Sequence, residues 1–291
     1  MVDISVCIIT LGRETLYHTL ETVFSQKINS TYEVIIILQG LIDEDRITSV
    51  NPNNIPFHIY TFERWFWFWF YRNKAVSCAS WDILAWIDDD EWAMDKNWLA
   101  LLTCNIKNKK YSVVTSGYYI PLGQWYMTDC ISLLGWPGWG ALGFDRMWDV
   151  SLNNQTNHIC TGNFAIKRSI MEQIGFSNDA KYGWEDNFLS KSLSNHKIII
   201  MYEKSATVYH ISRTFLQAFF WWQLRVKSHK KAVGKSLYEE KILKKKIRFL
   251  RNVIRLDFFL PGKIICLFFI GLIFIYNNLI FYMQKMKLIW N

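Results

Sequence analysis

Three near-continuous apolar runs stand out in the first third of the chain: Ile4–Thr10, Tyr32–Leu38 and Ile83–Ile87. Runs of this kind predict strands that are buried on both faces. Between the first two, residues 15–26 carry apolar side chains at positions 16, 20, 23 and 24, which predicts an amphipathic helix. The same reasoning predicts strands at 57–60, 113–119, 160–166, 198–201 and 206–209, and helices at 72–80, 97–106, 168–174, from 185 onward and at 215–227.

The order of these elements predicts an α/β fold. Strands that alternate with helices at this spacing form βαβ units, and such units build a mainly parallel sheet. A sheet of this type binds ligands at the carboxyl ends of its strands, so functional polar side chains are expected there. Residues 43–54 are polar and contain N-P-N-N, which predicts a loop. Residues 120–158 form a long stretch rich in Gly and Trp, and connections of this length are usually functional or mobile.

Charge is concentrated in one short segment. The whole chain of 291 residues has a formal net charge of +8, yet residues 225–255 alone hold 12 Lys and Arg against two Glu. A nucleic-acid-binding surface usually spreads over a folded face. This basic run instead lies just before an apolar segment, so we predict a juxtamembrane role and no nucleic-acid partner.

The apolar segment that follows has the length of a membrane helix. Residues 264–284 are 21 positions without a charge, and a helix of that length spans about 30 Å at ~1.5 Å per residue. The basic run before it places the preceding domain on the cytoplasmic side of a cell membrane by the positive-inside rule. A buried core helix or a helix lying in the membrane interface are the alternatives. We therefore predict a folded domain at 1–230, a basic amphipathic juxtamembrane segment at 231–257 and a membrane segment at 258–291.

Four adjacent acids, Asp88 to Glu91, directly follow the apolar run at 83–87. Clustered carboxylates at the end of a buried strand repel one another unless a cation compensates them. Oxygen ligands suit hard ions such as Mg²⁺ or Mn²⁺, which bridge to phosphate groups. The alternative is a solvated acidic turn.

The order of several short segments resembles family 2 glycosyltransferases, which have the Rossmann-like GT-A fold. The segments that carry the resemblance are SVCIITLGR at 5–13, EVIIILQG at 33–40, RNKA at 72–75, DDD at 88–90, CTGNFAIKR at 160–168, GWEDNFL at 183–189 and VYH at 208–210. The resemblance as a whole extends over about residues 3–230. The resemblance implies a nucleotide-sugar donor, a divalent metal (Mn²⁺ or Mg²⁺) and, in most members, inversion at the anomeric carbon.

Carried over position by position, the resemblance implies a nucleotide-binding set. Thr10 and Arg13 would flank the nucleotide, and Arg72 would lie near the base or the phosphates. Asp88 and Asp89 would belong to the same donor site. The family often has an acid at the position of Gln39, and an amide can hydrogen-bond a base edge but supplies no charge. UDP is the first expectation for the nucleotide, by resemblance alone.

The resemblance also implies the catalytic and metal-binding residues. Asp88 and Asp90 would be the acids of the metal motif, with Asp90 the direct ligand. Asp186 would be the general base that takes the proton of the acceptor hydroxyl. Glu185 is the competing assignment, although an acid in a first helical turn also suits the helix dipole. His210 would contact the metal or the diphosphate, and its alternative is a structural histidine at a strand end.

Seven consecutive aromatic residues at 65–71 form the last unusual feature. Seven large rings in a row cannot all face one core, and Trp and Tyr favour membrane interfaces. We interpret the run as a membrane-docking element. A platform for the acceptor and a core unusually rich in Trp are the alternatives.

These observations predict a metal-dependent, inverting glycosyltransferase at the cytoplasmic face of a membrane. Its acceptor would be a lipid-linked or surface glycan, and its partners would include membrane lipids. The alternative is a catalytically inactive glycosyltransferase-like scaffold or binding protein. A third possibility is a nucleotidyltransferase, which would release diphosphate in place of a nucleoside diphosphate.

Overall fold

The computed structural model describes residues 3–63, 67–119, 150–180 and 184–211, together with residues 264 and 268. In chain order the elements are β1 (Ile4–Thr10), α1 (Thr15–Phe24), β2 (Tyr32–Leu38), α2 (Glu44–Ser49), β3 (Phe57–Thr61), α3 (Phe68–Cys78), β4 (Ile83–Ile87), β5 (Glu91–Ala93), α4 (Trp98–Lys107), β6 (Val113–Thr115), β7 (Tyr118–Tyr119), β8 (Gln155–Thr156), β9 (Asn163–Lys167), α5 (Arg168–Ile174), α6 (Glu185–Asn195), β10 (Ile200–Tyr202), a short 3₁₀ turn (Lys204–Ala206) and β11 (Val208–His210).

The main sheet has eight strands in the order β3-β2-β1-β4-β9-β6-β10-β8. Strands β3, β2, β1 and β4 are parallel to one another, and β6 is parallel to β10. Strand β9 is antiparallel to both β4 and β6, so it begins at the edge where β1, β2 and β4 end. The predicted α/β class is therefore confirmed, with a mixed sheet whose parallel half carries the first four strands.

The central strands separate two apolar layers. Alternate residues of β1 face opposite sides, so that Val6 and Ile8 pack in one cluster with α1 and α4. Cys7 and Ile9 pack in the other cluster with α3, α5 and α6. Burial on both faces explains why β1 reads as an uninterrupted apolar run, as expected for a strand covered by helices on both sides.

A second, three-stranded sheet has the order β5-β11-β7. It pairs Glu91, the last of the four acids, with His210 across antiparallel strands. The Ile211 N–H also donates to the Asp90 carbonyl oxygen at 3.0 Å. This small sheet brings β11 back to the acidic segment, which lies more than 100 residues earlier in sequence.

Three predictions of local structure were wrong. The polar stretch at 43–54 contains helix α2, whose Asp43 side chain accepts the Arg46 N–H as an N-cap. Helix α3 begins at Phe68, inside the aromatic run, and not at residue 72. The strand expected at 113–119 is divided into β6 and β7, which lie in different sheets.

The aromatic run is divided between core and surface. Tyr71 is buried, and Trp69 and Phe70 pack against the second apolar cluster. Trp67 and Phe68 are 40% and 45% exposed. Residues 64–66 lie outside the described part of the chain. The described rings therefore do not all face one core, which agrees with the prediction from the sequence.

The predicted basic segment at 231–257, the helix at 215–227 and the apolar stretch at 264–284 lie outside the described residues, apart from positions 264 and 268. Within the part of the chain that the structure describes, no helix is both long enough and apolar enough to cross a membrane. The division into three segments stays a prediction.

Candidate active site

The turn after β1 is built around Thr10. The Thr10 hydroxyl accepts the Gly12 N–H at 2.9 Å and donates to Asp89 Oδ2 at 2.7 Å. Gly12 has a φ of +77°, and a Cβ atom there would lie 1.9 Å from the Leu41 carbonyl oxygen. Only glycine tolerates this combination, so the turns after β1 and β2 pass each other in backbone contact. The Gln39 N–H donates to the Thr10 carbonyl oxygen at 3.0 Å, which places Gln39 beside this turn.

Arg13 joins this turn to the acidic segment. Its guanidinium donates to both Asp89 carboxylate oxygens, with Nε 3.1 Å from Oδ2, and its Nη1 lies 3.2 Å from Asp90 Oδ2. Asp89 is buried, and burial raises its pKa to about 6 although Arg13 and Thr10 both favour the ionised form. Asp89 therefore supports the turn from within, whereas half of the Arg13 side chain is exposed and available to a ligand.

Arg72 is the buried positive charge at the centre of the site. Its Nη1 donates to the Thr161 carbonyl oxygen at 2.9 Å, and its Nη2 donates to Asp88 Oδ1 at 3.0 Å. Its Nε lies 3.9 Å from Glu185 Oε1. Burial lowers the pKa of Arg72, but Asp88 and Glu185 raise it by more. Arg72 thus holds together the acidic segment, the turn before β9 and the start of α6.

Glu91 lies behind Asp88 and was given no separate role from the sequence. It is fully buried, and its Oε2 lies 3.4 Å from the Asp88 backbone N. A Cβ atom on Gly162 would meet both Glu91 carboxylate oxygens, at 2.6 and 2.7 Å, and Asp88 Oδ2 at 2.9 Å. Burial and the neighbouring acids raise the pKa of Glu91 well above its usual range. The glycine of the C-T-G-N segment therefore makes room for the carboxylates.

Asn163, the next residue, ties three segments together from a fully buried position. Its Oδ1 accepts the Trp98 indole N–H at 3.0 Å. Its Nδ2 donates to the carbonyl oxygens of Gly117 and Ala206, both at 2.8 Å. Both N–H groups and the oxygen of this amide are thus used to fix the elements around the site.

Asp90 and His210 form the pair with the chemistry of a metal site. His210 Nε2 lies 3.7 Å from Asp90 Oδ1, and His210 Nδ1 lies 2.5 Å from the Ile211 carbonyl oxygen. Because a carbonyl oxygen only accepts, Nδ1 must carry the proton, and in the neutral ring this leaves the Nε2 lone pair directed toward Asp90. A carboxylate suits Mn²⁺ or Mg²⁺, and Mg²⁺ is commonly bound by one or two carboxylates plus substrate phosphates; the imidazole Nε2 would be a further nitrogen ligand.

The structure does not place Asp88 as a third ligand beside this pair. Its Oδ1 is paired with Arg72, and no group of three His, Cys, Asp or Glu side chains among the described residues is arranged to hold one ion. The Asp88 side chain is 36% exposed, so it can still be reached by a ligand. The predicted metal set of Asp88, Asp90 and His210 is thus brought together only in its last two members.

The two acids that begin α6 face different partners. Asp186 Oδ1 accepts the backbone N–H of Asn187 at 2.8 Å and its side-chain amide at 3.2 Å. Asp186 Oδ2 lies 3.5 Å from Nε2 of His158, a residue that the sequence did not single out. Glu185 is directed toward Arg72. A carboxylate whose partner is a histidine is better suited to accept a proton than one held beside a buried arginine, which favours Asp186 over Glu185 as the base.

Comparison with known proteins places this site in context. The model of the family described as "Glycosyl transferase family 2" matches residues 5–175. This range contains the turn after β1, Arg72, the acidic segment and the C-T-G-N segment. No curated protein sequence matches the chain.

The solved structures that share the fold include the following three. GalNAc-T7 with UDP, GalNAc and Mn²⁺ has a TM-score of 0.58 at 16% identity, over 74% of this chain and 45% of that one. Mannosyltransferase PcManGT from Pyrobaculum calidifontis, in complex with GDP-Man and Mn²⁺, has a TM-score of 0.58 at 13% identity, over 92% and 79%. TarS 1–349 from S. aureus has a TM-score of 0.52 at 13% identity, over 90% and 68%.

Proposed function

The chain belongs to glycosyl transferase family 2 and is a glycosyltransferase, and we propose that it transfers a sugar from a nucleotide-sugar with inversion and with the help of a divalent metal. The observation that carries the proposal is the meeting of four groups at one edge of the sheet. These are the turn after β1, the Asp90–His210 pair, Arg72 and the start of α6. They come from segments up to 200 residues apart.

The chemical roles follow from the geometry. An acceptor hydroxyl is a weak nucleophile, and Asp186 would take its proton as the new glycosidic bond forms. Arg13, half exposed beside Thr10, would bind a phosphate or the nucleotide. Asp90 and His210 would hold Mn²⁺ or Mg²⁺, and the bound ion supplies positive charge that stabilises the departing diphosphate.

The nucleotide is proposed to be UDP, with GDP as the competitor. Gln39 lies at the end of β2, where it can offer both a donor and an acceptor to a base edge. Two of the similar structures were solved with UDP and with GDP-Man, respectively. A comparison of nucleotides therefore decides the donor class.

Thermal shift with a nucleotide panel tests this proposal. The protein in mild detergent would be heated with UDP, GDP, dTDP or CMP, with and without Mn²⁺. Binding stabilises the folded state by about 2.7 kcal/mol at a hundredfold excess over Kd. We expect an Mn²⁺-dependent rise in Tm with one nucleotide that Asp90→Asn abolishes. Asp45→Asn, on exposed α2, is the matched control and should retain the shift. No shift with any nucleotide would favour an inactive scaffold.

We further propose that the enzyme works at the cytoplasmic face of a cell membrane on a lipid-linked or surface-glycan acceptor. The catalytic domain would span 1–230, with 231–257 on anionic lipid and 258–291 in the membrane. Clustered Lys and Arg near a membrane attract anionic lipid by roughly 1 kcal/mol each. Among the described residues of the aromatic run, Trp67 and Phe68 are exposed and would add an interfacial contact.

Vesicle flotation tests the membrane proposal. We expect the full chain to float with vesicles that contain phosphatidylglycerol. Changing Lys244, Lys245 and Lys246 to Gln should weaken this binding, and Trp67→Ser/Phe68→Ser should weaken it further. Binding that is equal for neutral and anionic vesicles, and unchanged in both variants, would refute the docking model.

A further inference from the structure

His158 lies against the proposed base in a position that the surrounding backbone defines. Both side chains are largely buried, with 13% of His158 and 11% of Asp186 exposed, and His158 Nε2 is 3.5 Å from Asp186 Oδ2. The backbone that directly follows His158 is hydrogen-bonded to side chains of α6 and of β6. The fold therefore holds the two side chains next to each other, and the pair is not a chance approach of two surface side chains.

Ser190 connects the segment around His158 to α6. The Ile159 N–H donates to Ser190 Oγ at 3.0 Å, and the Ser190 hydroxyl donates to the Asp186 carbonyl oxygen at 2.6 Å. On the other side, the Cys160 N–H donates to Thr115 Oγ1 at 2.9 Å. One buried hydroxyl thus links the backbone next to His158 with the backbone of Asp186, which sets the distance between the two side chains.

The two oxygens of the Asp186 carboxylate have different surroundings. Oδ1 accepts two N–H groups from Asn187, whereas Oδ2 faces the imidazole. Because Asn187 engages Oδ1, we assign Oδ2, on the side of His158, as the oxygen that receives the proton. A carboxylate oxygen can accept more than one hydrogen bond, so Oδ2 can contact His158 and an acceptor hydroxyl at the same time.

We propose that His158 is a positioning residue for the general base. It would orient Asp186 Oδ2 toward the acceptor hydroxyl, while the proton passes from that hydroxyl to Oδ2 as the glycosidic bond forms and the bond to the diphosphate breaks. The separation of 3.5 Å is longer than an ideal hydrogen bond, and contacts of this kind tighten when substrate is bound. The inference rests on the proposed function, because it assigns Asp186 the role of base.

The test uses nucleoside-diphosphate release from the nucleotide-sugar, with water as the acceptor, in the full chain. His158→Ala should lower kcat by about 10- to 100-fold, a part of the ~10²–10⁴ that general acid–base catalysis supplies. The KM for the donor and the nucleotide-induced rise in Tm should stay unchanged. His158→Gln, which keeps a donor near the position of Nε2, should recover most of the activity. His196→Ala, an exposed histidine at the end of α6, is the control and should match wild type.

The double variant separates positioning from general structural support. If His158 acts through Asp186, the kcat of His158→Ala/Asp186→Asn should equal that of Asp186→Asn alone to within about 2-fold. This margin is the usual deviation from additivity in double-variant comparisons. Multiplied effects would overturn the inference, and so would full activity of His158→Ala. Should His158→Ala fail to fold, Ser190→Ala provides the same test, with a smaller loss of kcat and intact nucleotide binding. A wild-type protein that binds nucleotide but releases no product would overturn the proposed function, and the role of His158 would fall with it.

Discussion

Replacing Arg72 with Met tests how the buried charges of the site are balanced. Met has a similar length and keeps the apolar contacts, but it removes the single guanidinium that meets Asp88 and the Thr161 carbonyl oxygen. Glu185 and fully buried Glu91 would lose the same compensating charge. The variant therefore leaves three carboxyl groups clustered in a poorly solvated site.

The expected loss can be estimated from burial. Removing one partner of a buried ion pair costs about 3–5 kcal/mol, because the remaining charge stays desolvated. Asp88 is partly exposed and can recover some hydration, which favours the lower half of this range. With a urea m-value of about 3 kcal/mol/M, a loss of about 3–4 kcal/mol lowers the unfolding midpoint by roughly 1–1.3 M.

Urea unfolding at neutral pH measures this change, and an exposed pair provides the control. Arg168 Nε lies 2.8 Å from Glu172 Oε1 at i,i+4 spacing on α5, so Arg168→Met should cost less than about 0.5 kcal/mol. Adding Asp88→Asn to Arg72→Met should recover part of the loss, because it removes one of the uncompensated charges. A change below about 1 kcal/mol in Arg72→Met would refute the view that this cation balances the acidic segment.

Three further predictions concern packing and burial in the fold. Gly162→Ala should destabilise the protein by about 1–3 kcal/mol and abolish the Mn²⁺-dependent Tm shift, because the new methyl group displaces Glu91; an unchanged shift would contradict this. Asn163→Ala should cost at least about 3 kcal/mol in urea unfolding, since it orphans an indole N–H and two carbonyl oxygens. In the native protein a thiol reagent should label exposed Cys104 but not buried Cys7, whose pKa is raised by burial. Peptide mass spectrometry measures the labelling, and labelled Cys7 beside unlabelled Cys104 would contradict the prediction.

Elements with a strong local pattern were predictable from sequence. Strands β1, β2 and β4 agree with their expected bounds, because strands covered on both faces must be apolar at nearly every position. Helix α2 has only one buried residue, Ile47, so its sequence lacks an apolar period. Helix α3 starts among aromatic residues at consecutive positions, where no helical period can be recognised.

The residues of the candidate site likewise fall into those that a local sequence pattern indicates and those that it does not. The acids, Thr10, Arg13 and Arg72 belong to recognisable segments, and the structure brings them to one edge of the sheet. Glu91, His158 and Asn163 gain their roles only from contacts with residues tens of positions away. Glu91 was visible in the sequence as the last of four adjacent acids, but its burial and the small sheet that pairs it with His210 were not. Long-range pairing leaves no local pattern from which such a contact could be inferred.

The most direct test of the central claim is the product released from the donor. The nucleotide-sugar that matches the thermal-shift result would be incubated with the full chain in Mn²⁺ or in EDTA, and both nucleoside diphosphate and inorganic diphosphate would be quantified. We predict release of nucleoside diphosphate that requires Mn²⁺ and is lost in Asp90→Asn. Release of inorganic diphosphate, or equal turnover in EDTA and in Asp90→Asn, would contradict metal-dependent glycosyl transfer at this site.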